Sequence, residues 1–392
     1  MMRRGIGIAV LAALAGCGAF DSVPSNALTE CQAETLVPGA VKTDILFIVD
    51  DSGSMAAEQA NLATSFDAFI RALAASPVKD DFQIGVTTTS VDFPRYMTGS
   101  SGFQTVTQYT SGPKAGTSYP AGALVGAPDH RILQASSPTL VGDFKANVNV
   151  GTDGSAKEQG FRAALLAVTD RIADGTNAGF LRPGARLAVI IVSDEDDCSD
   201  TANPPAVIYP SSGADACHSD AEQAKLPSVD SFVSALKSKL AGESRDVVVA
   251  VIAGVDPSTK QPVQPACNSM GYPAKRYSAF VAGFPGKGLI DDVCQADFTS
   301  TLQQVAGLIA SQTLPLSGAP ADPTFLSVSV THGSTGTTTQ CTVAPSSGNT
   351  AEADVIYFAP DVQSGHGAEL TFQRRCALDP GDQVHVQVLC AR

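Results

Sequence analysis

Tryptophan is absent from the 392 residues, and aromatic residues make up only 6% of the chain. So few rings leave little with which to build a stacking platform for sugars or bases. Basic charge is also short: 25 Lys and Arg stand against 39 Asp and Glu, for a formal charge of −14. No basic footprint of the kind nucleic acid requires occurs anywhere, which excludes that class of partner. The five histidines are scattered and offer no obvious general base. No G-x-S-x-G, H-E-x-x-H, phosphate loop or C-x-x-C is present, which weighs against hydrolase, nucleotide, redox and zinc-ribbon chemistry. Ser76-Pro77-Val78-Lys79 and Ser234-Ala235-Leu236-Lys237 match S-x-x-K, but the companion S-D-N and K-T-G motifs are missing.

What is present begins with an export signal. Arg3 and Arg4 precede a short apolar run from Ile6 to Ala15, too short and wrongly flanked for a mature membrane span. The run ends in Leu14-Ala15-Gly16-Cys17, which resembles the lipobox of bacterial lipoproteins. That resemblance implies cleavage before Cys17, lipidation of Cys17 and anchoring of an exported protein to the bacterial cell envelope, with Gly18 permitting sorting to the outer membrane. With Cys17 set aside, eight cysteines remain: Cys31, Cys198, Cys217, Cys267, Cys294, Cys341, Cys376 and Cys390. An even number in an exported chain suggests up to four disulfides. Cys198 with Cys217, and Cys267 with Cys294, each bracket an excursion between core elements and are the expected pairs.

Residues 1–16 thus read as signal peptide and 17–41 as anchor and tether. Ile45 to Val49 is a continuous apolar run, as in a strand covered on both faces. Leu62, Phe66, Phe69, Ile70 and Leu73 then recur at helical spacing. Phe82 to Thr88 alternates as a strand. Residues 91–145 form a long Gly, Ser, Thr and Tyr insertion without a clear pattern. Phe161 to Ile172 predicts a helix, Leu187 to Val192 a strand, and Val229 to Leu240 a helix capped by Ser228. Val247 to Ala253 predicts a further strand, and Phe298 to Ile309 a last helix. This repeating order predicts an α/β domain over 42–312: a doubly wound, mostly parallel sheet with helices on both faces. Residues 320–392 alternate in short Thr- and Val-rich runs and predict a small, disulfide-tied β-rich appendix.

Oxygen donors gather where the apolar strands end. Asp50, Ser52 and Ser54 follow the first run, Thr152 and Ser155 sit in a glycine-bearing loop, and Asp194 follows the run to Val192. Hard oxygens in such a cluster suit Mg²⁺, with Ca²⁺ or Mn²⁺ as alternatives. Ser52 stands where a haloacid-dehalogenase-like phosphatase would need a second Asp. Asp196, Asp197 and Asp200 read as a solvated loop face, and an EF-hand fails there for want of Gly at its sixth position and a ligand at its twelfth, Pro205.

Asp-x-Ser-x-Ser after an apolar strand, a Thr loop, and an Asp ending a later strand resemble the metal-ion-dependent adhesion site of von Willebrand factor type A domains. The resemblance implies a metal held by Asp50, Ser52, Ser54, Thr152 and Asp194, with Ser155 competing for the Thr152 role. It also implies an open metal position filled by a carboxylate of a partner protein. The expected function is therefore a lipid-anchored, metal-dependent, adhesion-type binding module without enzymatic activity. The alternatives are an envelope-assembly protein whose ion only staples loops, and a metal-assisted hydrolase.

Overall fold

The computed structural model describes residues 29–36, 42–76, 81–99, 101–243, 245–268, 270–320, 322–360, 367–379 and 381–390, without the side chains of 29–32, 312, 315, 389 and 390. Cys17 and the expected signal peptide lie outside the described residues, as do the side chains of Cys31 and Cys390. Among the described residues, no helix is long and apolar enough to cross a membrane.

The strands in chain order are β1 (Thr29–Leu36), β2 (Thr43–Val49), β3 (Phe82–Thr88), β4 (Phe93–Tyr96), β5 (Phe103–Val106), β6 (Ile132–Gln134), β7 (Arg186–Val192), β8 (Val247–Ala253), β9 (Gly288–Asp292), β10 (Gln312–Pro315), β11 (Leu326–Thr331), β12 (Thr338–Cys341), β13 (Val343–Pro345), β14 (Val355–Phe358), β15 (Glu369–Phe372) and β16 (Gln383–Cys390). The helices are α1 (Ala56–Ala74), α2 (Leu140–Val148), α3 (Gly160–Val168), α4 (Asp170–Ala173), α5 (Asp220–Gln223), α6 (Val229–Lys237), α7 (Lys275–Ala282) and α8 (Thr299–Ala310).

A six-stranded sheet in the order β6-β3-β2-β7-β8-β9 forms the α/β domain. All its neighbouring pairs are parallel except β3 with the short edge strand β6. Every residue of β2, β3, β7 and β8 is buried, because helices cover both faces and leave no side of these strands for water. The two-residue period of β2 divides its side chains. Ile45, Phe47 and Val49 pack with Leu62, Phe66 and Phe69 of α1, Phe144 of α2, and Leu302 and Val305 of α8. Leu46 and Ile48 point the other way, toward Phe161 of α3, Phe232 of α6 and Phe280 of α7. Parallel connections bring the carboxyl ends of β2, β3, β7 and β8 to one edge, and the loops leaving them meet there.

The insertion at 91–145 has a structural role. Its hairpin β4–β5 and Tyr109 and Tyr119 pack with Val207, Tyr209 and the Cys198–Cys217 bridge into a separate small core beside that edge.

The tether reading needs revision at Thr29–Leu36. These residues form an edge strand antiparallel to β16, in a sheet ordered β1-β16-β11-β12, and β10-β15-β14-β13 forms a second sheet. Val328, Val384, Val386, Leu370, Phe372 and Val355 make their shared core. The β domain is therefore larger than the appendix expected at 320–392: it takes a strand from before the α/β domain and starts its later part at Gln312. Both expected disulfides form, and Cys341 is joined to Cys376 in the β domain. Three disulfides fit an oxidising, extracytoplasmic compartment.

Candidate metal centre

Asp50 lies one residue past β2, and its amide donates to Val192 O of β7 at 3.0 Å. That backbone bond sets the Asp50 loop directly beside Ser193 and Asp194. The Asp50 carboxylate is fully buried and is held from three sides. Ser52 N donates to Oδ1 at 2.8 Å, Thr89 Oγ1 to Oδ1 at 3.3 Å, and Ser193 Oγ to Oδ2 at 2.6 Å. Ser52 Oγ and Ser54 Oγ sit 3.4 Å apart, so the two hydroxyls of the D-x-S-x-S turn face one another.

Gln59, on the first turns of α1, draws the Thr152 loop in. Its Nε2 donates to Asp50 O at 2.8 Å and to Gly151 O at 2.9 Å. The Thr152 carbonyl consequently lies 4.0 Å from where a Cβ on Gly53 would be. Close approach is needed again at Gly154, where a Cβ would come within 2.4 Å of the Asp51 carboxyl carbon. Asp51 itself is turned into the protein. It accepts from Ser90 Oγ at 2.7 Å and Tyr109 OH at 2.8 Å, while its carbonyl accepts from Gly154 N.

The two candidates in the Thr loop are placed differently. The Ser155 hydroxyl accepts from Lys157 N at 3.0 Å and donates to Asp92 O at 3.3 Å, in a residue 1% exposed. Ser155 thus folds the loop. Thr152 is half-buried, and among the described residues its hydroxyl makes no hydrogen bond.

Asp194 is fully buried; its Oδ2 accepts from Asn268 Nδ2, and its Oδ1 has no hydrogen-bond partner. Burial and the facing charge of Asp194 push the Asp50 carboxyl well above its ordinary range, with Ser193 acting the other way. Burial likewise raises Asp194, opposed by Ser54 and Asn268. Two buried carboxylates side by side, one with an idle oxygen, fit a divalent cation: it would supply the missing positive charge and a partner for Asp194 Oδ1.

Three acids beyond Asp194 carry no such signature. Asp196, Asp197 and Asp200 were expected on a solvated face, but they are at most 3% exposed. Asp196 accepts from the backbone amides of Arg276 and Tyr277 in the first turn of α7. Asp197 accepts from Phe161 N at the start of α3 at 3.0 Å and from Arg276 Nε at 3.2 Å. Asp200 pairs with the buried Lys157 Nζ at 3.1 Å. These acids neutralise helix N-termini and cations from distant parts of the chain, and are saturated.

Sequence reasoning missed Glu58, Glu158, Glu195 and His218. Glu58, in the first turn of α1, is 7% exposed with Oε2 unpartnered, and burial followed by the Asp194 charge raises it. Its position four residues after Ser54, one turn along the same helix start, was the available signal.

No protein-family model matches the sequence, and no curated protein matches it. Among solved structures the chain is similar to a von Willebrand factor type A protein from Catenulispora acidiphila, with 12% identity and TM-score 0.37, over 92% of this chain and 60% of that one. It is similar to the pilus adhesin SpaC from Lactobacillus rhamnosus GG in its open conformation, with 13% identity and TM-score 0.35, over 90% of this chain and 39% of that one. It is also similar to proximal thread matrix protein 1 from the mussel byssus, with 14% identity and TM-score 0.33, over 70% of this chain and 49% of that one. The chain thus spans 39% to 60% of the length of these solved chains. At such values the likeness carries no argument about the site, which rests on the side chains described above.

Proposed function

We propose that this protein is an exported, lipid-anchored binding module that captures a carboxylate of a partner protein through a divalent cation, Mg²⁺ in the first instance. Asp50, Ser52, Ser54, Thr152 and Asp194 would hold the ion, and the ion would supply an electrophilic position for the incoming carboxylate. The observation that carries this reading is Asp194 Oδ1: a buried, unpartnered carboxylate oxygen, in a residue adjoining a second buried carboxylate at the ends of two paired parallel strands.

The protein's own groups do the preparatory work. Ser193, Thr89 and the Ser52 amide fix the Asp50 carboxylate, and Gln59 ties the first loop to the Thr152 loop. Because protein hydrogen bonds already join these loops, an ion is not needed merely as a staple, and capture is favoured over the envelope-assembly alternative.

Ser52→Ala and Asp194→Ala should each abolish Mg²⁺ binding in calorimetry while the far-ultraviolet dichroism is kept. Pull-down from envelope extract should recover a partner in Mg²⁺ and lose it in EDTA. Equal recovery under both conditions would refute metal-dependent capture. Cys17→Ala should release the chain from membranes, and full retention would contradict the anchor.

A further inference from the structure

A second group of ligands lies behind the first, outside the residues assigned above. Glu158, Glu195 and His218 each place one ligand atom within 4.8 Å of the other two. Glu158 is fully buried, and no hydroxyl, amide or cation reaches either of its carboxylate oxygens, which face the Glu195 carboxyl group. The Glu195 side chain is 16% exposed and that of His218 is 1% exposed. The Tyr209 hydroxyl is also buried without a partner, and it lies within the field of Glu158, Asp215 and Glu195. An orphaned carboxylate beside another carboxylate, with an idle phenol nearby, is a local deficit of positive charge and of donors.

The His218 ring is oriented from its Nδ1 side. Its Nδ1 lies 2.9 Å from Asp215 Oδ1, and Asp215 is fixed by the Cys217 amide at 2.9 Å. A carboxylate behind the imidazole is the usual device for presenting the other nitrogen to a metal. That nitrogen, Nε2, is 3.8 Å from Glu195 Oε2, close to the ~3.3 Å separating two ligands of a tetrahedral ion with bonds of about 2.0–2.1 Å. Nε2 also donates to Asp196 O at 3.1 Å, a bond that an incoming ion would have to displace, and lies 3.4 Å from Cys198 Sγ. The sulfur is closed in the bridge to Cys217 and offers no thiolate. The ring stacks on Tyr272 at 4.0 Å and 11°, and the Tyr272 amide donates to Asp194 O, so the imidazole is locked to the first site's loop.

We infer that Glu158, Glu195 and His218 form a second cation site, separate from the Asp50–Asp194 centre, that takes a first-row transition ion of the Zn²⁺ class. One imidazole with two carboxylates suits such an ion better than Mg²⁺, which prefers an all-oxygen octahedral shell. The Asp50 and Asp194 centre lacks nitrogen altogether, so the two sites differ in the ion they select.

The test titrates purified, untagged protein with Zn²⁺ in saturating Mg²⁺, and reads Co²⁺ substitution by its visible absorption. Wild type should take up one equivalent of Zn²⁺ and give a Co²⁺ spectrum. Glu195→Gln and His218→Gln should lose both signals, and Asp215→Asn should weaken uptake about 10- to 100-fold. Ser52→Ala and Asp194→Ala should keep them, which separates this site from the first. Melting curves confirm that each variant is folded, and Glu158→Gln provides a second, near-isosteric variant. No uptake by wild type, which is the result if Glu158 and Glu195 share a proton instead, would overturn the inference. Uptake unchanged in both Glu195→Gln and Glu158→Gln would overturn it equally.

Discussion

The two ends of the central sheet differ in how they bury acids. At the amino end of the strands each acid has its cation. Asp44, fully buried, accepts from Arg182 Nε at 2.6 Å and Arg182 N at 2.7 Å, and Arg182 also reaches Asp81. Asp246 lies between Arg186 at 2.5 Å and Lys287 at 3.0 Å. At the carboxyl end Asp197 and Asp200 are paired with Arg276 and Lys157, but Asp50, Asp194, Glu58, Glu158 and Glu195 crowd together and four of their oxygens are orphaned. Balanced acids hold the fold; unbalanced ones are kept at a cost that the proposed cation would offset. The β domain follows the first rule, with Asp354 between Arg375 at 2.6 Å and Thr342 Oγ1 at 2.9 Å.

The contrast is broken most severely at its balanced end. Arg182→Met should leave Asp44 buried and unpaired and cost about 3–5 kcal/mol in urea unfolding. A loss under about 1 kcal/mol would show that the pairing matters little there. Next in size is the response to the ion. Mg²⁺ at about 100 times its dissociation constant should stabilise wild type by about 2.7 kcal/mol and leave Asp194→Ala unmoved.

Acid should distinguish the two ends as well. Burial opposes ionisation of Asp246, yet Arg186 and Lys287 outweigh it and hold the carboxyl down at about 2. Its folded value lies below the unfolded value of about 3.9, so on acidification the unfolded chain takes up the proton first. The stabilisation is complete above about pH 5 and is lost as the pH falls toward 2, about 2 kcal/mol in all. Asp246→Asn should flatten unfolding free energy against pH across that window, and an unchanged slope would assign the acid sensitivity elsewhere. The smallest effect has the opposite sign. In EDTA, Asp194→Asn should leave stability unchanged or raise it by up to about 1 kcal/mol, because it relieves repulsion with Asp50.

How much of this was legible in the sequence follows from where each signal is stored. Ile45–Val49, Leu187–Val192 and Val247–Ala253 could be read as central strands because helices bury both their faces and the composition must show it. Thr29–Leu36 could not, since TECQAETL is a polar edge strand whose partner is about 350 positions away, as in the Thr35–His385 contact. The placement of Asp50, Ser52, Ser54 and Asp194 just past the strand ends was legible because the strands that precede them were. Asp196, Asp197 and Asp200 were misread, because a run of acids looks solvated until Arg276, Lys157 and two helix N-termini arrive from elsewhere. Glu158 and His218 were hidden for the same reason: their company is assembled by the fold, not by spacing.

The central claim is that the Asp50–Asp194 edge is a cation site, and calorimetric titration of Mg²⁺ into wild type, Ser52→Ala and Asp194→Ala tests it most directly. The account predicts saturable uptake by the wild type and its loss in both folded variants. Uptake of equal affinity in all three, or none in the wild type, would contradict it.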